Sequence, residues 1–317
     1  MSNHTIVTEF LLLGFSDMRE EQILHFLVFL AIYLAAMVGN LLIITVIALN
    51  QHLHTPMYFF LGNLSFLDLC YISVTVPKSM SDSLTNNRLI SFSGCVTQVF
   101  LVITFTAAEL AFLTVMAYDR YIAICRPLHY KVTMNRGACA QLAVGSWISS
   151  MMCSVLHTTN TFRLHFCRSN VISQFYCDIP QLLKISCSDI RANVIVMTAL
   201  GSLLDVVCFV LIIVSYIHIF STVMRIPSEQ GRYKAFSTCI PHLVVFCLFI
   251  STASFTYMRP RSMSSTSLDL MAAVLYCVVP PLMNPIIYSL RNKEIKRSLW
   301  KMIGRNFFFS RGMNFSH

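Results

Sequence analysis

Charged side chains are scarce in this chain: 23 Lys and Arg and 14 Asp and Glu make up 12% of 317 residues. Soluble globular domains carry about 25%, so no sizeable soluble domain is expected. Internal repeats, low-complexity segments and domain-like linkers are missing too, which argues against a transporter built from duplicated halves. No HExxH-type motif and no nucleophile–base spacing is present, so an intramembrane enzyme has no visible chemistry to run on. The opening residues Met1–Thr5 contain no basic n-region and no cleavage-like site. No removable signal peptide is therefore expected, and the first apolar run is expected to act as the signal anchor.

What is abundant is apolar length. Hydrophobic residues make up 56% of the chain, and a spanning helix needs about 20 of them in succession. Seven runs qualify, at approximately 24–49, 57–80, 96–124, 138–158, 193–220, 235–257 and 270–290. This predicts an all-α membrane protein, a single seven-helix bundle over residues 1–317. Residues 1–23 form an extracellular N-terminus and 291–317 a cytoplasmic tail. Pro56, Pro127, Pro227, Pro260 and Pro280 fall at span ends or mark kinks. The net charge of +9 reflects topology rather than affinity for nucleic acid, because the cations sit in short loops and the tail. Fourteen of the 23 basic residues fall on the inner side if the N-terminus is outside, as the positive-inside rule prefers. The sequon at Asn3 agrees with that orientation.

Four of the twelve cysteines fall at outer positions, Cys95, Cys167, Cys177 and Cys187. An even number in an oxidising compartment suggests two disulfides, and four cysteines allow three pairings. The other eight read as small apolar side chains.

One stretch stands out, Met116–Cys125, in which Asp119 and Arg120 sit side by side at the end of a long apolar run. A charge at bilayer depth costs roughly 2.5–3.5 kcal/mol on insertion scales. Adjacent helical residues point in different directions, so Arg120 holds Asp119 loosely and could swing to another partner. The pair reads either as a latch at the membrane edge or as a plain headgroup anchor. Asp68 and Glu109 are the acids deepest in spans two and three. Like charges placed together share a proton or a cation, and Asn40 and Asn284 could complete that polar layer.

Five motifs then accumulate in order. They are Leu53–Leu61 (LHTPMYFFL), Met116–Tyr130 (MAYDRYIAICRPLHY), Ser215-Tyr216, Lys234–Cys239 (KAFSTC) and Pro281–Tyr288 (PLMNPIIY). Together, over about residues 3–305, they resemble the olfactory receptors of the rhodopsin-like (class A) G-protein-coupled receptor family, tetrapod-type class II. That resemblance implies an odorant receptor, not an enzyme, in the plasma membrane. It would bind small volatile, mostly apolar molecules and raise cAMP through a stimulatory, olfactory-type G protein. It also implies the bridges Cys95–Cys177 and Cys167–Cys187, the first tying the long loop over the bundle as a lid.

Activation and G-protein coupling would rest on Asp119, Arg120, Tyr121, Tyr216, Lys234 and Tyr288, backed by a cationic inner face with Arg126, Lys131 and Arg232. A sodium ion or a water-filled pocket is implied at Asp68 and Glu109, with no other cofactor. The implied ligand set is Val102, Ile103 and Thr106 on span three, and Leu200, Gly201 and Leu204 on span five. Ala253, Ser254 and Tyr257 on span six and Val274 and Cys277 on span seven complete it. Such a lining suits shape recognition with one or two hydrogen bonds.

Three positions depart from the family pattern: Ile250 where an aromatic is common, Pro241 where a small residue is common, and the acid Asp205. The last either contacts a polar ligand group or pairs with a lining hydroxyl, and the second is expected. The tail 291–303 reads as a basic amphipathic helix on the inner leaflet, with Ile295, Leu299 and Ile303 on one face and Trp300 at the interface. No cysteine follows it to carry a palmitate. The competing functional class is a small ion-coupled transporter using Asp68 and Glu109.

Overall fold

The computed structural model describes residues 7–166, 169–187, 191–257, 266–292 and 294–301. Seven of its helices are long and apolar enough to cross a membrane: α1 (Arg19–Leu49), α2 (Pro56–Thr85), α3 (Phe92–Cys125), α5 (Arg136–Phe162), α7 (Arg191–Met224), α8 (Glu229–Tyr257) and α9 (Thr266–Arg291). Short helices α4 (Tyr130–Thr133) and α6 (Ile179–Ile185) lie in the connections, and residues 294–301 form a last helix, α10. Several long helices outrun their apolar windows, α1 starting at Arg19 and α3 at Phe92. Hydropathy ends where solvent or headgroups begin; a helix ends where its terminal backbone groups find partners.

Those partners are visible. Ser91 Oγ accepts from the Gly94 N–H at 3.1 Å to start α3, and Asn135 Oδ1 accepts from Ala138 at 2.9 Å to start α5. Pro56 opens α2, where a missing N–H costs nothing. Asn86, at φ 54°, closes that helix in the left-handed conformation. Asn292 Oδ1 accepts from the N–H groups of Glu294 and Ile295 and so caps α10.

Helix α3 runs through the middle, packed mainly on α2, α5 and α7, while α1 lies on α2 and α9. The largest core cluster joins Phe60, Leu64, Phe112, Leu113 and Met116 with Ile212, Phe246 and Tyr288. Leu41, Val155, Val210 and Ile217 are exposed on the bundle's outer faces, as expected of side chains that meet lipid. Helices α7 and α8 touch only sparingly, and that gap is where a cavity opens.

One end of the bundle carries a lid. Strands β1 (Glu9–Leu12), β2 (Leu89–Ser91) and β3 (Val171–Ile172) form a sheet in the order β2-β1-β3. Glu9 pairs with Ser91 antiparallel and Leu11 with Val171 parallel. Beneath it Phe10 is fully buried, edge-on to Phe166 at 5.5 Å between centroids. The Cys95–Cys177 disulfide fastens the lid to α3, in agreement with the pairing the family resemblance implies. Gln98, one turn further along α3, accepts from the Cys177 N–H at 2.8 Å and donates to Val74 O on α2 at 3.0 Å. Cys187 is disulfide-bonded as well; Cys167, its expected partner, lies outside the described residues, as does Asn3.

Candidate functional site

Under the lid lies a cavity of about 1130 Å³ between α3, α5, α6, α7, α8 and α9. Residues at i, i+3 and i+4 share a helix face, and that spacing builds its walls. Helix α3 contributes Val99, Val102, Ile103 and Thr106, and helix α7 contributes Ser202, Asp205, Val206 and Phe209. Helix α8 supplies Phe249, Ile250, Ala253 and Ser254. The wall is mostly apolar, with polar groups at separated points, the pattern of a small-molecule site. Lys184 of α6 reaches Asp269 of α9 at 3.3 Å across one edge, tying the lid to the last spanning helix.

Below the cavity a buried polar bridge crosses the bundle. The Asn284 amide nitrogen lies 3.2 and 3.1 Å from the two Asp68 carboxylate oxygens and 3.4 Å from Glu109 Oε1. Asn40 donates to Pro281 O at 2.9 Å and to Ala36 O at 3.0 Å. The carbonyl oxygens of Asn40 and Asn284 are both buried without a partner. Two carboxylates brought together by one amide, with unpaired amide oxygens on Asn284 and Asn40 in the same polar layer, are the hard oxygen ligands that suit a monovalent cation or water. No group of three or more His, Cys, Asp or Glu side chains among the described residues is placed to hold a metal, so any cation would need the amide oxygens and water to complete its shell.

At the far end of α3, Arg120 is 3.6 Å from Asp119, and both are buried. Tyr130 of α4 donates to Asp119 Oδ1 at 2.8 Å. Burial pushes the Tyr130 phenol above its usual range, and the adjoining Asp119 carboxylate adds to that, so the hydroxyl stays a donor. Arg120 Nε has no hydrogen-bond partner, leaving the guanidinium with donor capacity in reserve. Nearby, Tyr216 of α7 and His242 of α8 are joined at 2.7 Å through Nδ1, with the rings stacked. The other ring nitrogen of His242 meets Leu113 O of α3 at 2.9 Å. One fully buried imidazole thus ties three spanning helices together.

A bundle with a lidded cavity at one end and an acid–arginine pair at the other can now be set beside known proteins. The olfactory receptor family model matches residues 29–306. This chain belongs to the olfactory receptor family. It is 54% identical to human olfactory receptor 14A16 over 96% of this chain and 98% of that one. It is 54% identical to human olfactory receptor 14I1 over 98% of this chain and 100% of that one, and 47% identical to rat olfactory receptor 1f45 over 96% and 98%. The squid rhodopsin crystal structure shares the fold, with a TM-score of 0.69 at 16% identity over 91% of this chain and 87% of that one.

Within this olfactory receptor the ligand residues expected from sequence divide. Val102, Ile103, Thr106, Ala253 and Ser254 line the cavity together. Leu204 does not: it is 37% exposed and outside the lining, one position away from Asp205 on the α7 face. Val274 and Cys277 also fall outside the lining. They pack in the apolar cluster around Tyr71 and Tyr176, where Tyr71 donates to the Cys277 sulfur at 3.4 Å. Their neighbour Tyr276 takes the wall position and is hydrogen-bonded to Thr106. The side chains of Leu200, Gly201 and Tyr257 lie outside the described residues.

Asp205 faces the cavity with no hydrogen bond or ion pair to a described residue, so the expected pairing with a lining hydroxyl is not made; His157 of α5 is its electrostatic neighbour. Lys184, Gln181 and Asp269 line the cavity too, although sequence reasoning did not select them. His242 was also missed, although an imidazole within an apolar run is itself a signal, since burying it requires partners for both nitrogens. Pro241 lies within an unbroken α8, and Phe249 and Ile250 together supply the bulk at the wall where the family commonly has an aromatic at the latter position.

Proposed function

We propose that this receptor binds small volatile molecules in the lidded cavity, and that binding opens the opposite end of the bundle to a stimulatory, olfactory-type G protein, raising cAMP. The observation that carries this reading is the continuity of α3, which lines the cavity with Val102, Ile103 and Thr106 and ends in the buried Asp119–Arg120 pair. A ligand that prefers one arrangement of the cavity walls shifts the population of the whole bundle toward it. Arg120, Tyr121, Tyr216 and Tyr288 would then rearrange, and exposed Lys234 with Arg126, Lys131 and Arg232 would face an acidic surface of the partner. The orientation goes with it: lid and N-terminus extracellular, Arg120 cytoplasmic, the protein in the plasma membrane.

A sodium ion between Asp68 and Glu109 would stabilise the resting arrangement, supported by the unpaired oxygens of Asn40 and Asn284. Replacing sodium by choline should then lower the melting temperature of the purified receptor, and should have no effect in Asp68→Asn.

The test of the main reading is cAMP in cells co-expressing a stimulatory G protein, across a panel of volatiles. Ligand-dependent cAMP that vanishes with Arg120→Ala at equal surface level is the expected result. Solute uptake that depends on Asp68, with no cAMP response, would refute it.

A further inference from the structure

We propose that the α5–α7 side of the cavity is a subsite for the ammonium group of a small primary amine, with Asp205 as its counter-ion. This deepens the odorant-binding reading above and rests on it. Ser202, Asp205, Val206 and Phe209 follow at i, i+3, i+4 and i+7 along α7 and all line the cavity, so one helix face presents a hydroxyl, a carboxylate and a ring in sequence. Asp205 carries no hydrogen bond or ion pair with any described residue, although it lies in a span long and apolar enough to cross a membrane. A carboxylate in such a span, with His157 as its electrostatic neighbour, is better accommodated with a cation beside it.

Its competitors are accounted for. Lys184 is the cavity's one lysine among the described lining residues, and it is held by Asp269 at 3.3 Å. His157, facing Asp205 from α5, shares no ion pair with it within 4 Å. In its neutral form an imidazole offers an acceptor nitrogen. Three lining carboxylates, Asp178, Asp205 and Asp269, stand against one ammonium, so the interior repels an acid and attracts a cation.

A primary ammonium has three N–H donors. Asp205, the Ser202 hydroxyl and the His157 imidazole are three acceptors of the kind it needs. Phe209, one turn on, also lines the cavity, and an aromatic ring favours a cation at its face; Val206, Phe249 and Ile250 accept a hydrocarbon body. An alcohol of the same shape fills the space but leaves the carboxylate uncompensated. A quaternary ammonium supplies the charge but no donors.

The experiment uses the full chain in cells with a stimulatory G protein. The probes are n-alkylamines of four to ten carbons and 2-phenylethylamine, each beside its isosteric alcohol and acid, with trimethylalkylammonium salts as a fourth arm. At least one primary amine should act at concentrations about 10–100-fold below its alcohol, the range of a charge-assisted hydrogen bond. Asp205→Asn, at matched surface level, should erase that gap, and Asp205→Glu should keep it. Equal potency of alcohols or acids, preference for the quaternary salts, or an amine preference that survives Asp205→Asn would overturn the subsite. Basal cAMP that requires Arg120, with no response to any amine, would overturn it while leaving the receptor reading intact. Loss of the Arg120 dependence itself would strike the receptor reading instead.

Discussion

Asn284→Leu is the most searching perturbation of this bundle, because one side-chain amide bridges two buried acids. Its nitrogen lies within 3.1–3.4 Å of three carboxylate oxygens on α2 and α3. An NH2 group has only two hydrogens, so at most two of those approaches are full hydrogen bonds at one time. Hydrogen bonds to charged groups contribute roughly 1.5–3 kcal/mol each. Leucine, similar in volume and without a donor, should therefore cost about 3–6 kcal/mol, less whatever a proton or a cation taken up between the acids returns. For a protein this large each kcal/mol corresponds to roughly 2–4 °C, so the apparent melting temperature should fall by about 6 °C or more. The assay is thermal unfolding of the detergent-solubilised receptor, repeated with Asp68→Asn on both backgrounds. The double variant should recover part of the loss, since one of the two stranded carboxylates has become neutral. A melting temperature within a degree of wild type, or a double variant showing the simple sum of the two losses, would refute the bridge.

Two further outcomes follow from the same geometry. Cys95→Ser should remove most surface expression, because the bridge closes a separation of 82 residues, worth roughly 4–5 kcal/mol on chain-entropy grounds; surface immunolabelling reads it. Gln98→Ala should give a milder drop, since it strands the Cys177 N–H and removes the tie to the Val74 carbonyl but leaves the covalent bridge. His242→Phe should raise basal cAMP at matched surface level, because it leaves α8 without its link to Leu113 and Tyr216 while Arg120 is still held by Asp119. Unchanged or lower basal cAMP would show that the imidazole does not restrain α8.

The seven long helices were legible in the sequence because a spanning helix must be apolar over about 20 residues whatever it packs against. The Asp119–Arg120 pair and the Asp68–Glu109 layer were legible for the opposite reason: charge in an apolar run is expensive and therefore conspicuous. The lid was not. Its strands are two to four residues long, too short for an alternation to be read, and they come from three distant parts of the chain. The cavity was half legible. Positions on α3 followed from helical spacing, and Ala253 and Ser254 on α8 from the family resemblance, but on α7 the resemblance was one residue out of phase: Asp205 lines the wall where Leu204 was expected. On a helix one residue is a turn of about 100°, enough to move a side chain from cavity to lipid. Val274 and Cys277 missed for the same reason, with Tyr276 at the wall in their place.

The lid's topology also sets a timetable for synthesis. β1, at residues 9–12, sits between β2 at 89–91 and β3 at 171–172. The first strand to leave the ribosome must therefore wait for a partner roughly 160 residues later, about 8–30 s at ordinary elongation rates. Until α5 has been threaded, Phe10 has no Phe166 to meet and one edge of β1 is unpaired. A closed sheet is thus a record that the first half of the bundle has been inserted in order, and an open one presents an apolar, hydrogen-bond-hungry edge that quality-control machinery can recognise before any ligand is met.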